Sequence, residues 1–182
     1  MMSRRAVGAV TAALLLLLAA STTGCVPEPA PSPTPAGFAT EEEAFAAAEE
    51  TYRSYVDALN QVDLSDPDTF EPVFAWTSGE ANANERETLS QMHAEGWEVS
   101  GLTQAPVVEL GRVELPSSVE LLVCQDVSDV DIVDTRGNSQ VSPGRPGIQS
   151  MSILLDSSRS TATGLAISKI SGREGDPPCA EG

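Results

Sequence analysis

Positive charge is the scarcest property of this chain. Its 182 residues include 10 lysines and arginines against 27 aspartates and glutamates, and Lys169 is the only lysine. A net charge of −17 repels phosphate backbones and anionic headgroups. That excludes nucleic-acid binding, and it excludes docking onto lipid through a basic patch. Histidine occurs once, at His93, and cysteine three times. One histidine and a cysteine pair make an implausible zinc site, so no metal or cofactor is expected. Aromatic residues make up only 4% of the chain. In so poor a set, Trp76 and Trp97 read as core or pocket-wall residues, with a ligand platform as the rival reading. There is no glycine-rich phosphate loop and no Gly-x-Ser-x-Gly nucleophile elbow.

What is present begins with an export segment. Arg4 and Arg5 precede Ala6 to Ala20, which is almost wholly apolar and holds five consecutive leucines, Leu14 to Leu18. Small residues then lead into Thr22-Thr23-Gly24-Cys25. A charged start, an apolar stretch and a small-residue exit make a signal peptide. The stretch is shorter than the roughly 20 apolar residues that a spanning helix needs. Gly24-Cys25 fits a lipobox, with cleavage between the two and a diacylglyceryl thioether on Cys25, although Thr22 stands where an aliphatic residue is usual. Two acyl chains make a durable anchor where one would be marginal. The expected address is therefore the outer face of the bacterial plasma membrane, held by lipid. The rivals are an uncleaved anchor and ordinary signal cleavage near Ala20, which would release a secreted protein. Loss of residues 1–24 removes Arg4 and Arg5 but no acid, and takes the net charge to −19.

Residues 25–39 read as a lipidated cysteine followed by a tether. Prolines at 27, 29, 31, 33 and 35 block helix and sheet and favour an extended chain. At about 3.1 Å per residue, roughly ten residues reach about 30 Å.

Residues 40–182 read as a single α+β domain. Thr40-Glu41-Glu42-Glu43 is a capping box, and Phe45, Ala48, Tyr52, Tyr55, Val56 and Leu59 recur at helical spacing, which predicts a helix over 41–60. Asp66-Pro67 predicts a short helix or turn that Pro72 ends. A further helix runs from Ser78 or Gly79 to Glu95 and stops at Gly96. Strands follow: one strand or a bulged pair around residues 107–115, with bulges at Gly101 and Gly111, then 119–127, an exposed strand at 129–134, 148–155 and 163–170. Helices first and strands afterwards give helices packed on an antiparallel sheet.

Three groups invite chemical readings. With Cys25 assigned to lipid, Cys124 and Cys179 are left to pair in an oxidising compartment. The bridge would close a loop of about 55 residues, stabilise by ~4 kcal/mol, and pin the C-terminal tail to a central strand. His93, near a helix C-terminus, reads as a surface residue favoured there by the helix dipole. Asp126, Asp129, Asp131 and Asp134 form an acidic run, but it lacks the glycine turn and closing glutamate of a calcium loop. Charges along an exposed strand edge, with Val130 and Ile132 turned to the core, are the simpler account.

The lipobox, the proline tether, the helix AEETYRSYVDALN, Gly96-Trp97-Glu98-Val99-Ser100-Gly101, Val123-Cys124-Gln125-Asp126 and the final cysteine together resemble a group of actinobacterial lipoproteins. One lysine beside nine arginines and abundant alanine suits such a GC-rich source. The resemblance implies a nuclear-transport-factor-2-like, or SnoaL-like, domain, in which N-terminal helices cover a curved antiparallel sheet to form a cone. It carries over no catalytic residue. Fold alone does not choose a function, so three classes stand. The first is a non-catalytic binding or interaction module of the envelope, its partner an envelope protein or small ligand. The second is a small-molecule enzyme of isomerase or hydrolase type, or a ligand carrier, using the cone. The third is a transport receptor, for which the domain is small. The state of the cone separates the first two: filled favours interaction, deep and apolar favours a carrier, and converging polar groups favour an enzyme.

Overall fold

The structure, a computed structural model, describes residues 37–174 and Cys179. The signal segment, Gly24, Cys25, most of the tether and Pro177-Pro178 lie outside the described residues.

Helix α1, Glu41–Leu59, starts as its capping box dictates. The Thr40 hydroxyl accepts from the Glu43 amide at 3.1 Å, and the Glu43 carboxylate reaches back to the Ala39 amide at 2.9 Å. These bonds satisfy amides that a helix start leaves unpaired. One 3₁₀ turn, Pro67–Phe70, follows its Asp66 cap. Pro72 does not end this element. It sits in the first turn of a second short helix, α2, Glu71–Ala75, where its missing N–H has no helical partner to lose. Helix α3, Gly79–Glu95, stops at Gly96, which turns left-handed at φ +67°.

Six strands complete the chain: β1 Glu98–Ser100, β2 Gln104–Glu114, β3 Ser118–Asp126, β4 Asp131–Val133, β5 Ile148–Ser157 and β6 Leu165–Gly172. Four of them form an antiparallel sheet in the order β2-β3-β5-β6, while β1 and β4 pair separately as a two-stranded ribbon. The β2–β3 register shifts between Leu110 and Val113, so Gly111 lies at a bulge as expected. Gly101 does not. It follows β1 at φ +80°, and a Cβ there would lie 1.9 Å from the Asp129 carbonyl oxygen. Only glycine permits that approach, which holds β1 against the turn leading into β4.

Side-chain alternation decides which face of the sheet is covered. Val119, Leu121 and Val123 of β3, Ile153 and Leu155 of β5, and Leu165 and Ile167 of β6 are buried against the helices, of which α1 and α3 lie on the sheet. The outer face is polar: the Ser152 hydroxyl donates to the Glu120 carboxylate at 2.6 Å. Edge strand β6 is partly covered by residues 76–78, whose Trp76 carbonyl accepts from the Ile167 amide at 2.9 Å. Blocking an open edge in this way limits pairing with other chains.

Cys124 of β3 and Cys179 are disulfide-bonded, as expected, across a sequence separation of 55. Replacing both by serine should lower unfolding stability by ~4 kcal/mol, the entropy of the closed loop. Denaturant titration of the double variant checks this, with midpoint displacement and near-native far-UV circular dichroism as the expected outcome.

Candidate functional site

The cone is filled by its own side chains. Tyr52, Val56, Val73 and Phe74 pack onto Leu121, Ile153 and Leu155 with no residue of this set more than 8% exposed. Free space among the described residues lies in several hollows, the larger ones on the outer sheet face and beside Arg53 and Asp57; two others share one residue, Glu85.

The first is an apolar groove of about 220 Å³. Its walls are the end of α1 and the turn after it (Leu59, Asn60, Val62, Leu64), one side of α3 (Glu85, Thr88, Leu89, Met92) and the β1–β4 ribbon (Val99, Gly101, Val130, Ile132), with Thr103 at the base. The ribbon register sets Val99 opposite Ile132, so two aliphatic side chains form one wall. Asn60 fastens that end of the groove: its amide Nδ2 donates to the Thr103 carbonyl and its Oδ1 accepts from the Thr103 amide, each at 2.9 Å. This reciprocal pair satisfies backbone groups that a loop would otherwise leave open. Val130 and Ile132 are half-buried here and are not core residues as the alternation predicts. The strand is also shorter than predicted, because β4 pairs with three residues of β1 and never joins the main sheet.

The second cavity, about 260 Å³, lies on the opposite side of Glu85, between Tyr52 and Tyr55 of α1, Asn84 of α3, and Gln125, Gln149, Met151 and Ile170 of the sheet. The Tyr55 hydroxyl donates to the Glu85 carboxylate oxygen Oε1 at 2.5 Å. The Tyr52 hydroxyl points to Gln125 Oε1 at 3.4 Å, a long bond. Burial raises the Glu85 carboxyl above its ordinary range, and the Tyr55 hydrogen bond opposes that rise. Burial also raises the Tyr55 hydroxyl, and the neighbouring Glu85 charge adds to the rise. No described residue donates to the second Glu85 oxygen, Oε2.

Sequence reasoning missed this pair, although a signal exists. Ala81 and Leu89 are the buried residues of α3, and Glu85 lies midway between them at four-residue spacing. That spacing puts a glutamate on the helix face that packs inward.

The residues singled out from sequence are not gathered at one place. Trp97 lines a shallow groove with Val62, Leu64 and Val99. Trp76, half-buried, ends α2 beside β6. His93 is exposed near the end of α3, with Nδ1 2.7 Å from the Leu64 carbonyl and its ring edge-on to Phe70. A carbonyl only accepts, so Nδ1 carries the proton. The acidic run serves local turns. Asp126 accepts from the amide and hydroxyl of Ser128, Asp131 from the Ser139 hydroxyl, and Asp134 from the amides of Arg136 and Asn138. The bonds from Asn138 and Arg136 hold the Asp134 carboxyl well below its usual range. Among the described residues, no cluster of three or more histidines, cysteines or acids has the geometry for a metal ion. No described helix is long and apolar enough to cross a membrane.

A carboxyl raised by burial favours the protonated native state, so its contribution is present below pH 4.5 and is lost as pH rises through the folded-state value. Glu85→Gln keeps an acceptor for Tyr55 without the charge. Its melting temperature should exceed wild type at pH 7, and the gap should close as pH falls to 4. Paired thermal melts across that range check the sign; a gap that widens on acidification would sink the assignment.

No family model matches the sequence, and no curated protein matches it. Among solved structures, a periplasmic fragment of TraM is 13% identical, with 76% of this chain and 100% of that one covered and a TM-score of 0.46. An IcmL-like type IV secretion system protein from Legionella pneumophila is 13% identical, with 80% and 99% covered and a TM-score of 0.44. The VirB8 protein of Agrobacterium tumefaciens is 9% identical, with 79% and 100% covered and a TM-score of 0.41.

Proposed function

We propose that this protein is a lipid-anchored extracytoplasmic lipoprotein whose folded domain is a non-catalytic binding module of the cell envelope. The observation that carries the reading is the filled cone: Leu121, Ile153 and Leu155 are fully buried beneath the helices, and the apolar groove lies at the rim. An interior used for catalysis needs room for a substrate and at least two polar groups converging on it; the cavity beside Tyr52 and Tyr55 has polar walls, but its tyrosine hydroxyls are spent on Glu85 and Gln125. A rim groove between helix and ribbon instead offers a contact surface. The export segment, Gly24-Cys25 and the proline run support the address, and the acidic surface supports a domain that stands off the membrane.

Both halves of the proposal are testable. Intact mass of membrane-extracted protein should include a diacylglyceryl group on Cys25, and Cys25→Ser should move the protein into the soluble fraction. Unlipidated wild-type protein in the medium would remove the anchor. For the domain, titration with 1-hexanol should shift methyl resonances of Leu89, Val99, Val130 and Ile132. Shifts centred on Leu121 and Ile153 would mean that the cone opens to ligand, and the enzyme or carrier reading would replace this one.

A further inference from the structure

We propose that the rim groove binds a small amphipathic amine, its primary ammonium on Glu85 and its short apolar chain against Leu89, Val99 and Ile132. The inference rests on reading the groove as the binding surface of the domain and names the chemistry that fits it.

Three observations carry it. First, among the described residues Glu85 is the only ionisable one lining the groove; the rest are aliphatic or neutral. A ligand entering there meets one charge, and that charge is negative. Second, the polar capacity of the site is unevenly spent. Asn60 gives both a donor and an acceptor to Thr103. Glu85 Oε1 is taken by Tyr55, while Oε2 receives no bond from any described residue. An ammonium has donors to give and no acceptor to satisfy, so it suits that oxygen better than an alcohol or amide does. Third, the charge is held where water solvates it poorly, since burial raises the Glu85 carboxyl. A bound cation offsets that penalty, whereas an anion would deepen it.

Size sets the rest of the ligand. A groove of about 220 Å³ lies below the range of about 300–1,000 Å³ usual for drug-sized ligands. It suits a chain of a few carbons, not a long acyl tail or a folded peptide. The apolar walls provide affinity without direction, and the carboxylate provides direction.

The test compares three probes of equal chain length, hexylammonium, 1-hexanol and hexanoate, by methyl NMR titration at pH 7. The full chain carries Cys25→Ser, so that no acyl chain competes for the groove. Hexylammonium should bind about tenfold more tightly than hexanol, the worth of one charge-assisted hydrogen bond, and hexanoate should bind least. Glu85→Gln should bring hexylammonium to within about twofold of hexanol while leaving hexanol unchanged. Glu87→Gln removes an exposed charge from the same helix and should keep the preference. A preference that survives Glu85→Gln, or that Glu87→Gln abolishes equally, would reduce it to general attraction by an acidic protein and overturn the proposal. Val99→Lys gives a second route if the Gln variant fails to fold. Val99 is 38% exposed, and a resident ammonium on that wall should abolish the preference for hexylammonium. If no probe shifts the groove methyls, the binding-surface reading itself falls. If hexanol and hexylammonium bind equally, that reading stands and the amine is wrong.

Discussion

A sheet of four curved strands has two faces and too few apolar side chains to bury both. Here the inner face carries Val119, Leu121, Val123, Ile153, Leu155, Leu165 and Ile167, and the outer face carries mainly serines, glutamates, Arg112 and Lys169, with Leu154 among them. Covering the inner face is the constraint from which the other arrangements follow. Helix α1 does most of it with small residues toward its start, Ala44 and Ala48, and large ones further on, Tyr52, Tyr55 and Val56. The gradient lets the helix lie close at one end and fill the widening concavity at the other. Burial of aliphatic and aromatic side chains, at about 25 cal/mol per Å² of apolar surface, is the main driving term. Hydrogen bonds such as Thr51 to Thr163, at 2.6 Å, fix position along it.

Once α1 has filled the cone, the tyrosine hydroxyls become the difficulty. Tyr52 and Tyr55 are 1% and 5% exposed, and a buried hydroxyl without a partner costs ~1–3 kcal/mol. Gln125 supplies one partner and Glu85 the other. Glu85 therefore has a structural reason to face inward, independent of any ligand. One hydroxyl satisfies one oxygen, so the second oxygen of a residue that lines the groove is left without a bond from the described residues. The site thus follows from how the core is satisfied, and it needs no dedicated loop.

The main elements were legible because they obey short-range rules. The capping box at Thr40, the left-handed stop at Gly96, the bulge at Gly111 and the alternation of β3 are each decided within a few residues. Most of the misreadings have a different cause. Pro72 looks terminal until α2 is seen to begin around it. Gly101 looks like a bulge until the backbone of Asp129 is found against it. Val130 and Ile132 look like core until β4 is seen to pair only with β1. Pro72 turns on a local choice between helix stop and helix start, whereas for Gly101, Val130 and Ile132 the deciding contact spans residues that sequence pattern does not join. The site was hidden for the same reason: the partner of Glu85 is Tyr55, thirty residues earlier on another helix. Pattern reading on α3 alone registers a polar helix with few apolar positions.

The disulfide and the groove mark two different uses of rigidity. Cys124 lies in a central strand, on the opposite side of the pleat from Val123, so the bridge ties Cys179 to the part of the molecule least able to move. The groove lies at the ribbon, which is separate from the main sheet. One wall is a ribbon of three paired residues on each strand, held by the glycine contact at Gly101, with the Asn60–Thr103 pair beside it and Arg145, whose guanidinium donates to the carbonyls of Val127 and Val130 at 2.7 Å each. A two-stranded ribbon is marginal without such ties. Those ties hold Val99 and Ile132 as one apolar wall, while Tyr55 fixes the Glu85 carboxylate on the helix opposite. Fixed carboxylate and aliphatic wall together favour recognition by charge position beside a short apolar contact.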